Sequence, residues 1–202
     1  LNEANSEANT DLEQWRADTV AALKAASNVK VLTRTVCWGR FDGNMLAAHE
    51  SVDGKVRQNY HKVQAKKIII AAGAIERPLV FGNNDKPNVM LASGARRMLN
   101  HYGTATGKML AVFTNNDSAY QTAFDYADAG IKVSAVVDSR QYPGQALVDG
   151  CQSRGITLFT QSVVTKAKGW QAVRSIEIAD LAANGQSVSN RRRVACDVLA
   201  HS

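Results

Sequence analysis

Hydrophobic and polar positions change period several times along the chain, and each change marks an element. Near the front, Leu12, Trp15, Val20, Ala22 and Leu23 share one face of a helix. Thr10 with Glu13 forms a capping-box pattern, so this helix is expected to open at Thr10, after a frayed polar run over 1–9, and to end near Ser27 and Asn28. Residues 29–36 are β-branched, and strand-like runs follow over 44–52 and 55–64, joined by the turn Asp53-Gly54. The three runs predict a small antiparallel meander. Residues 66–74 then form a continuous apolar run ending in small residues, the pattern of a strand buried on both faces.

Arg77-Pro78 breaks the chain, and a polar loop over 82–87 leads to a helix expected over 91–101, with Met98 and Leu99 on its apolar side. Beyond 103–107 the pattern becomes β-α-β. Residues 109–113 read as a buried strand, 114–118 as a polar turn, and 119–129 as a helix with Ala123, Tyr126 and Ala127 at helical spacing. Gly130 closes that helix. A second strand over 131–137 ends at Asp138, a further helix runs from Tyr142-Pro143 to about Arg154, and 156–159 form a third strand. Right-handed crossovers make the three strands parallel and adjacent. Alternation returns over 162–168, 172–179 and 194–200, predicting a meander attached to the parallel sheet, its last strand placed to return to that sheet. The expected fold class is α/β, a Rossmann-like parallel sheet with an attached antiparallel meander. Three segments are expected: 1–78, 79–107 as connecting helix and loops, and 108–202 as the nucleotide-binding-like domain.

Composition narrows the function classes. With 202 residues, 45% of them hydrophobic, the chain holds one full domain, or one plus part of another. It starts at Leu1 and stops at Ser202 as an apolar run ends, which predicts a piece of a longer polypeptide. The net charge of +6 is scattered except for Arg191, Arg192 and Arg193, assigned to a hairpin turn, so no nucleic-acid partner is expected. Cys37, Cys151 and Cys196 have neither disulfide-framework nor zinc spacing and read as three partly buried free thiols of a cytoplasmic protein. His49, His61, His101 and His201 lack metal-ligand spacing, no apolar run is long enough to span a membrane, and no signal peptide is visible. No catalytic acid, base or nucleophile stands out.

The candidate chemistry lies at the turn after the 109–113 strand. A dinucleotide fingerprint places G-x-G-x-x-G/A between strand and helix, with an acid about 20 residues on. Here Thr114, Asn115, Asn116, Asp117, Ser118 and Ala119 occupy that turn, and only Ala119 matches. The context still suits a pyrophosphate at the helix start, with Asn115, Asn116 and Ser118 as donors and Asn116 able to take the left-handed conformation of the second glycine. Against this, Thr114 and Asn116 carry side chains where a bare backbone is usual, and Asp117 is an anion. Two readings stand evenly: a nucleotide cradle, or a helix capped by Asn116 or Asp117 in a domain that has lost its nucleotide. Asp138 favours the first, because a carboxylate at a strand end accepts both ribose hydroxyls and repels a 2′-phosphate. That points to NAD, with Ser139 and Arg140 beside it. Arg140 offsets the repulsion, which keeps NADP open. Gly73 marks either a tight turn or a close approach to a flavin nucleotide.

The segments 73–81, 83–87, 90–93 and 113–120 resemble, in order and spacing, the α subunits of heterotetrameric sarcosine oxidases. The asparagine-rich replacement of the glycine loop is itself a feature of that family. The resemblance runs from about Val29 to the end, with opine, proline and hydrogen-cyanide-forming dehydrogenase subunits as more distant relatives. It implies that 1–78 is a partial FAD-binding domain, into which the NAD-binding domain is inserted, with Gly73 near the flavin. It implies NAD on this chain, and FAD or FMN and tetrahydrofolate only in a full complex with other sarcosine-oxidase-type subunits. It implies oxidative demethylation of sarcosine, an oxidation at a CH–NH group, by that complex, the chain alone being inactive. The rivals are an assembly domain with a vestigial dinucleotide pocket, and a dehydrogenase subunit acting on another secondary amine.

Overall fold

The structure, a computed structural model, describes residues 3–52 and 58–202. The chain divides into two compact units, one of Ala4–Ala74 and one built on Ile75–Ser202.

In the first unit, helix α1 spans Glu3–Ala25. It starts well before Thr10, because residues 3–9 contain no glycine or proline and are rich in alanine and glutamate, both good helix formers. The capping box is therefore overridden, and residues 3–9 of the run expected to fray are helical. Trp15, Val20 and Leu23 are exposed, so these positions of the apolar stripe cover no core. Strands β1 (Thr35–Phe41), β2 (Met45–Ser51) and β3 (Gln58–Gln64) form an antiparallel sheet in the order β1-β2-β3. The meander is as expected, but its first strand lies later than 29–36. The turn through Asp42, Gly43 and Asn44 pairs Phe41 with Met45 and so draws the pairing onto 35–41. Gly43 takes φ 68°, the left-handed backbone that this aspartate–glycine turn needs. The Asp53-Gly54 turn lies outside the described residues.

Residues 66–72 are not a strand, and Ile69 and Ile70 are exposed. A strand exists only by pairing with neighbours, and no described strand pairs with this run. Its apolar composition records a preference for burial that goes unmet here.

The second unit is built on a five-stranded sheet in the order β4-β11-β5-β6-β7, with every pair parallel. Its strands are β4 (Val89–Leu91), β5 (Met109–Thr114), β6 (Lys132–Asp138), β7 (Leu158–Phe159) and β11 (Val198–His201). Helices α2 (Ala92–Tyr102), α3 (Ser118–Asp128) and α4 (Gln145–Ser153) cover one face. Antiparallel strands β8 (Ser162–Lys168), β9 (Ser175–Leu181) and β10 (Val188–Ala195) cover the other. Alternation sets the two cores: Leu110, Val112, Val136, Val198 and Ala200 pack toward the helices, while Ala111, Phe113, Ala135, Val137 and Leu199 pack toward the meander. Gly130, at φ 77°, ends α3, and Ile131 N–H returns to the Tyr126 carbonyl at 2.9 Å.

Three details differ from expectation. The apolar run over 194–200 is cut at Cys196 and Asp197 into the end of β10 and the separate strand β11, which slots between β4 and β5. The Asp197 carboxylate turns this corner by accepting from the N–H groups of Lys108 and Met109. Arg191, Arg192 and Arg193 lie inside β10 and not in a turn, where Arg191 pairs with Glu177 at 2.8 Å and Arg192 with Asp180. Cys37 is exposed, whereas burial pushes the Cys151 and Cys196 thiols up to about 11 and about 12, leaving both inert at neutral pH. Among the described residues, no helix is long and apolar enough to cross a membrane.

One buried carboxylate ties α2 to α3. Asp125 accepts from Arg96 Nε at 2.7 Å, Asn100 Nδ2 at 2.6 Å and Gln121 Nε2 at 2.7 Å. Asp125→Ala is expected to lower the stability of this unit by about 1–2 kcal/mol, read by urea denaturation, since it removes the buried acceptor shared by three exposed donors, which water then satisfies. A loss under 0.5 kcal/mol would show that the cluster holds nothing together.

Candidate functional site

Parallel strands bring their carboxyl ends to one edge of a sheet, and the loops leaving that edge meet there. Thr114 pairs with Asp138 across β5 and β6, and His201 pairs with Phe113 across β11 and β5. The chain leaves β5 toward β6 on one side, while β11 lies on the other. The end of β5 is therefore a topological switch point, the place in such sheets where ligands bind.

The loop after β5 is closed by its own side chains. Thr114, fully buried, accepts from Asn116 N–H at 3.0 Å and donates its hydroxyl back to the Asn116 carbonyl at 2.9 Å. Asn116 Oδ1 accepts from Ser118 N–H at 3.0 Å and from the Ser118 hydroxyl at 2.7 Å, so the Asn116 side chain satisfies the first N–H of α3 from one residue ahead of the N-cap, Asp117. Its amide donates to Asn115 Oδ1 at 3.2 Å and to Ser202 Oγ at 2.9 Å. Asn116 does not take the left-handed conformation expected of it, because this capping geometry holds it elsewhere. The N–H groups of Asp117 and Ala119 have no acceptor among the described residues, which leaves donors at the start of α3 for an anion.

Asp138 ends β6 with its side chain fully buried. Its Oδ2 accepts the Tyr120 hydroxyl at 2.7 Å and Arg140 Nη2 at 2.7 Å, and its Oδ1 accepts Arg140 N–H at 2.8 Å and Nε at 3.1 Å. Burial first, and Asp138 second, push the Tyr120 hydroxyl far above its usual range, so it stays protonated and donates. The Asp138 hydrogen bond raises the Arg140 guanidinium further above its already high value, against some desolvation. Arg140 Nη1 reaches Asp117 at 2.7 Å, so one cation bridges both carboxylates and offsets the Asp117 charge beside the loop. Ser139 N–H bonds the Thr114 carbonyl at 3.0 Å and carries the sheet pairing one step past Asp138.

The structure thus brings Thr114, Asn115, Asn116, Asp117, Ser118, Ala119, Asp138, Ser139 and Arg140 together at one sheet edge. Gly73 belongs to the other unit, with φ 74° and open space where a Cβ would sit. Sequence reasoning missed Tyr120 and Ser202. Tyr120 is signalled only by its place in the first turn of α3, facing the next strand. His201 is buried among Phe81 and Phe113, and its Nδ1 accepts from Leu79 N–H at 3.2 Å. Among the described residues no His, Cys, Asp and Glu group is placed to hold a metal.

No protein-family model matches the chain. It is 41% identical over 170 residues to sarcosine oxidase subunit alpha of Rhizobium meliloti (strain 1021), covering 80% of this chain and 17% of that protein. It is 35% identical over 201 residues to sarcosine oxidase subunit alpha of Corynebacterium sp. (strain P-1), covering 94% of this chain and 20% of that one. The chain therefore spans about a fifth of the length of these curated relatives. Among solved structures, thioredoxin reductase of T. acidophilum superposes with a TM-score of 0.62 at 15% identity, over 95% of this chain and 58% of that one. The fold, a mixed α/β arrangement with one parallel and two antiparallel sheets, is shared with that reductase.

The buried imidazole makes stability depend on pH. Burial lowers the His201 pKa below its unfolded value of about 6.5, outweighing the nearby Glu76 charge, and a neutral Nδ1 is what accepts the Leu79 N–H. The unfolded chain thus binds the extra proton, and the stabilisation is complete above pH ~6.5 and lost as pH falls through the lowered folded value. Urea midpoints between pH 7.5 and 5 are expected to fall for the native chain and to flatten in His201→Asn. An unchanged slope in that variant would remove His201 as the cause.

Proposed function

Starting from a chain that matches a segment of sarcosine oxidase α subunits, we propose that it is the nucleotide-binding part of a sarcosine-oxidase-like α subunit and that its dinucleotide is NAD. One observation carries the proposal: an acid at the end of β6 stands beside the loop that opens α3, at the switch point of a parallel sheet. The ribose falls to Asp138, and the pyrophosphate to the start of α3, near Asp117, Ser118 and Ala119, with Asn115 and Asn116 at the loop. Thr114 and Ser139 fix the two strand ends against each other, and Arg140 balances the two carboxylates. Gly73 is the place in the other unit where a flavin nucleotide can approach the backbone closely.

Within the whole complex, which includes other subunits, the reaction is the oxidative demethylation of sarcosine. Flavin and tetrahydrofolate act only in that full complex. This chain's share is to bind and orient a dinucleotide, with no acid, base or nucleophile of its own. The purified chain is expected to release no peroxide when given sarcosine and oxygen; steady sarcosine-dependent release would sink the assignment.

A second reading has its own support. The Asp138 carboxylate is satisfied by Tyr120 and Arg140, and the loop is filled by Asn116, as in an assembly domain whose pocket is vestigial. Calorimetric titration separates the two. NAD is expected to bind at micromolar concentration, more tightly than NADP, and Asp138→Asn to weaken it by about tenfold or more, the worth of roughly one charge-assisted hydrogen bond. No heat at millimolar NAD would favour the vestigial reading.

A further inference from the structure

The Asp138 carboxylate has about four lone-pair sites to offer. All four are taken, two by the Arg140 guanidinium, one by the Arg140 main-chain N–H and one by the Tyr120 hydroxyl. A ribose hydroxyl that donates to this carboxylate must displace one of these donors. Tyr120 is locked in the core, and the Arg140 N–H is part of the backbone leaving β6. The guanidinium is the donor free to leave, since it is carried on a flexible side chain that is 32% exposed.

Resting on the dinucleotide reading above, we propose that Arg140 is a built-in occupant of the ribose position, which an adenosine ribose displaces on binding and which therefore sets affinity and selectivity. Two features support an exchange of partners over a fixed structural pair. The guanidinium vacates two acceptor sites, one on each carboxylate oxygen, the number that the two hydroxyls of a ribose diol need. Asp117, 69% exposed, already holds Nη1 at 2.7 Å, so the released cation keeps a carboxylate partner across the loop. The other donors stay in place, so the carboxylate is not left bare while the exchange occurs. A 2′-phosphate cannot make the same exchange, because it brings no 2′-hydroxyl donor and adds negative charge beside Asp138.

Native chain, Arg140→Ala and Arg140→Gln are titrated calorimetrically with ADP-ribose and with its 2′-phosphate. Removing the occupant is expected to tighten ADP-ribose about tenfold, the gain when a competent state populated roughly one time in ten becomes the resting one. The 2′-phosphate is expected to gain nothing, so selectivity between the two rises. If the native chain binds ADP-ribose and both variants bind it equally or more weakly, Arg140 is a ligand contact or a bystander; the occupant role is overturned and the dinucleotide reading stands. If none of the three proteins binds, both fail together. Should neither variant fold, the native chain labelled with ¹⁵N supplies the decision. The Arg140 Nε–H resonance must shift and lose exchange protection as ADP-ribose saturates, and an unmoved resonance at saturation overturns the exchange.

Discussion

The larger unit is governed by the requirement that a parallel sheet be covered on both faces. β5 and β11 are apolar at almost every position, and β6 becomes so after its first residues, so neither face tolerates water. Helices α2 to α4 meet the residues of one parity, and the β8–β10 meander meets those of the other. Layers on both sides leave the carboxyl edge as the place where loops can vary without opening the core. That edge is where Thr114, Asp138 and Ser202 gather.

The same burial explains the chemistry of the edge. Asp138 stands at the last position of a strand that is dry on the helix side, so its carboxylate needs donors from the protein wherever no ligand supplies them. Tyr120 supplies one from the first turn of α3, and Arg140 supplies the rest from two residues downstream. Arg140 also reaches Asp117, which makes the anion beside the loop compatible with a negatively charged ligand. A loop that lacks its glycines is thereby kept ordered by hydrogen bonds that a bare glycine backbone would not make.

Much of this was legible in the residues. The apolar runs of β5 and β6, the small-residue face of α3 and the terminal Asp138 specify a strand–loop–helix–strand unit, because local propensity and burial agree there. Other features depend on partners that periodicity does not record. Residues 66–72 have the composition of a buried strand, yet no described strand pairs with them. Arg191 to Arg193 lie within a strand because Glu177 and Asp180 on β9 face them, a cross-strand match separated by more than ten residues. The closure of Asp138 by Tyr120 and Arg140 is three-dimensional, and from spacing alone Arg140 was only a nearby charge. Asn116 was offered both as a left-handed stand-in for a glycine and as a side chain at the helix start; its bonds to Ser118 and Ser202 give it the second role.

Hydrogen–deuterium exchange of the native chain, with and without ADP-ribose, addresses the assignment of this edge most directly. Binding at the switch point slows exchange at the start of α3, over 114–120, and just past Asp138, over 138–141, and leaves the β1–β3 meander unchanged. Saturating ligand that protects neither stretch, or that protects only residues of the Ala4–Ala74 unit, would contradict it.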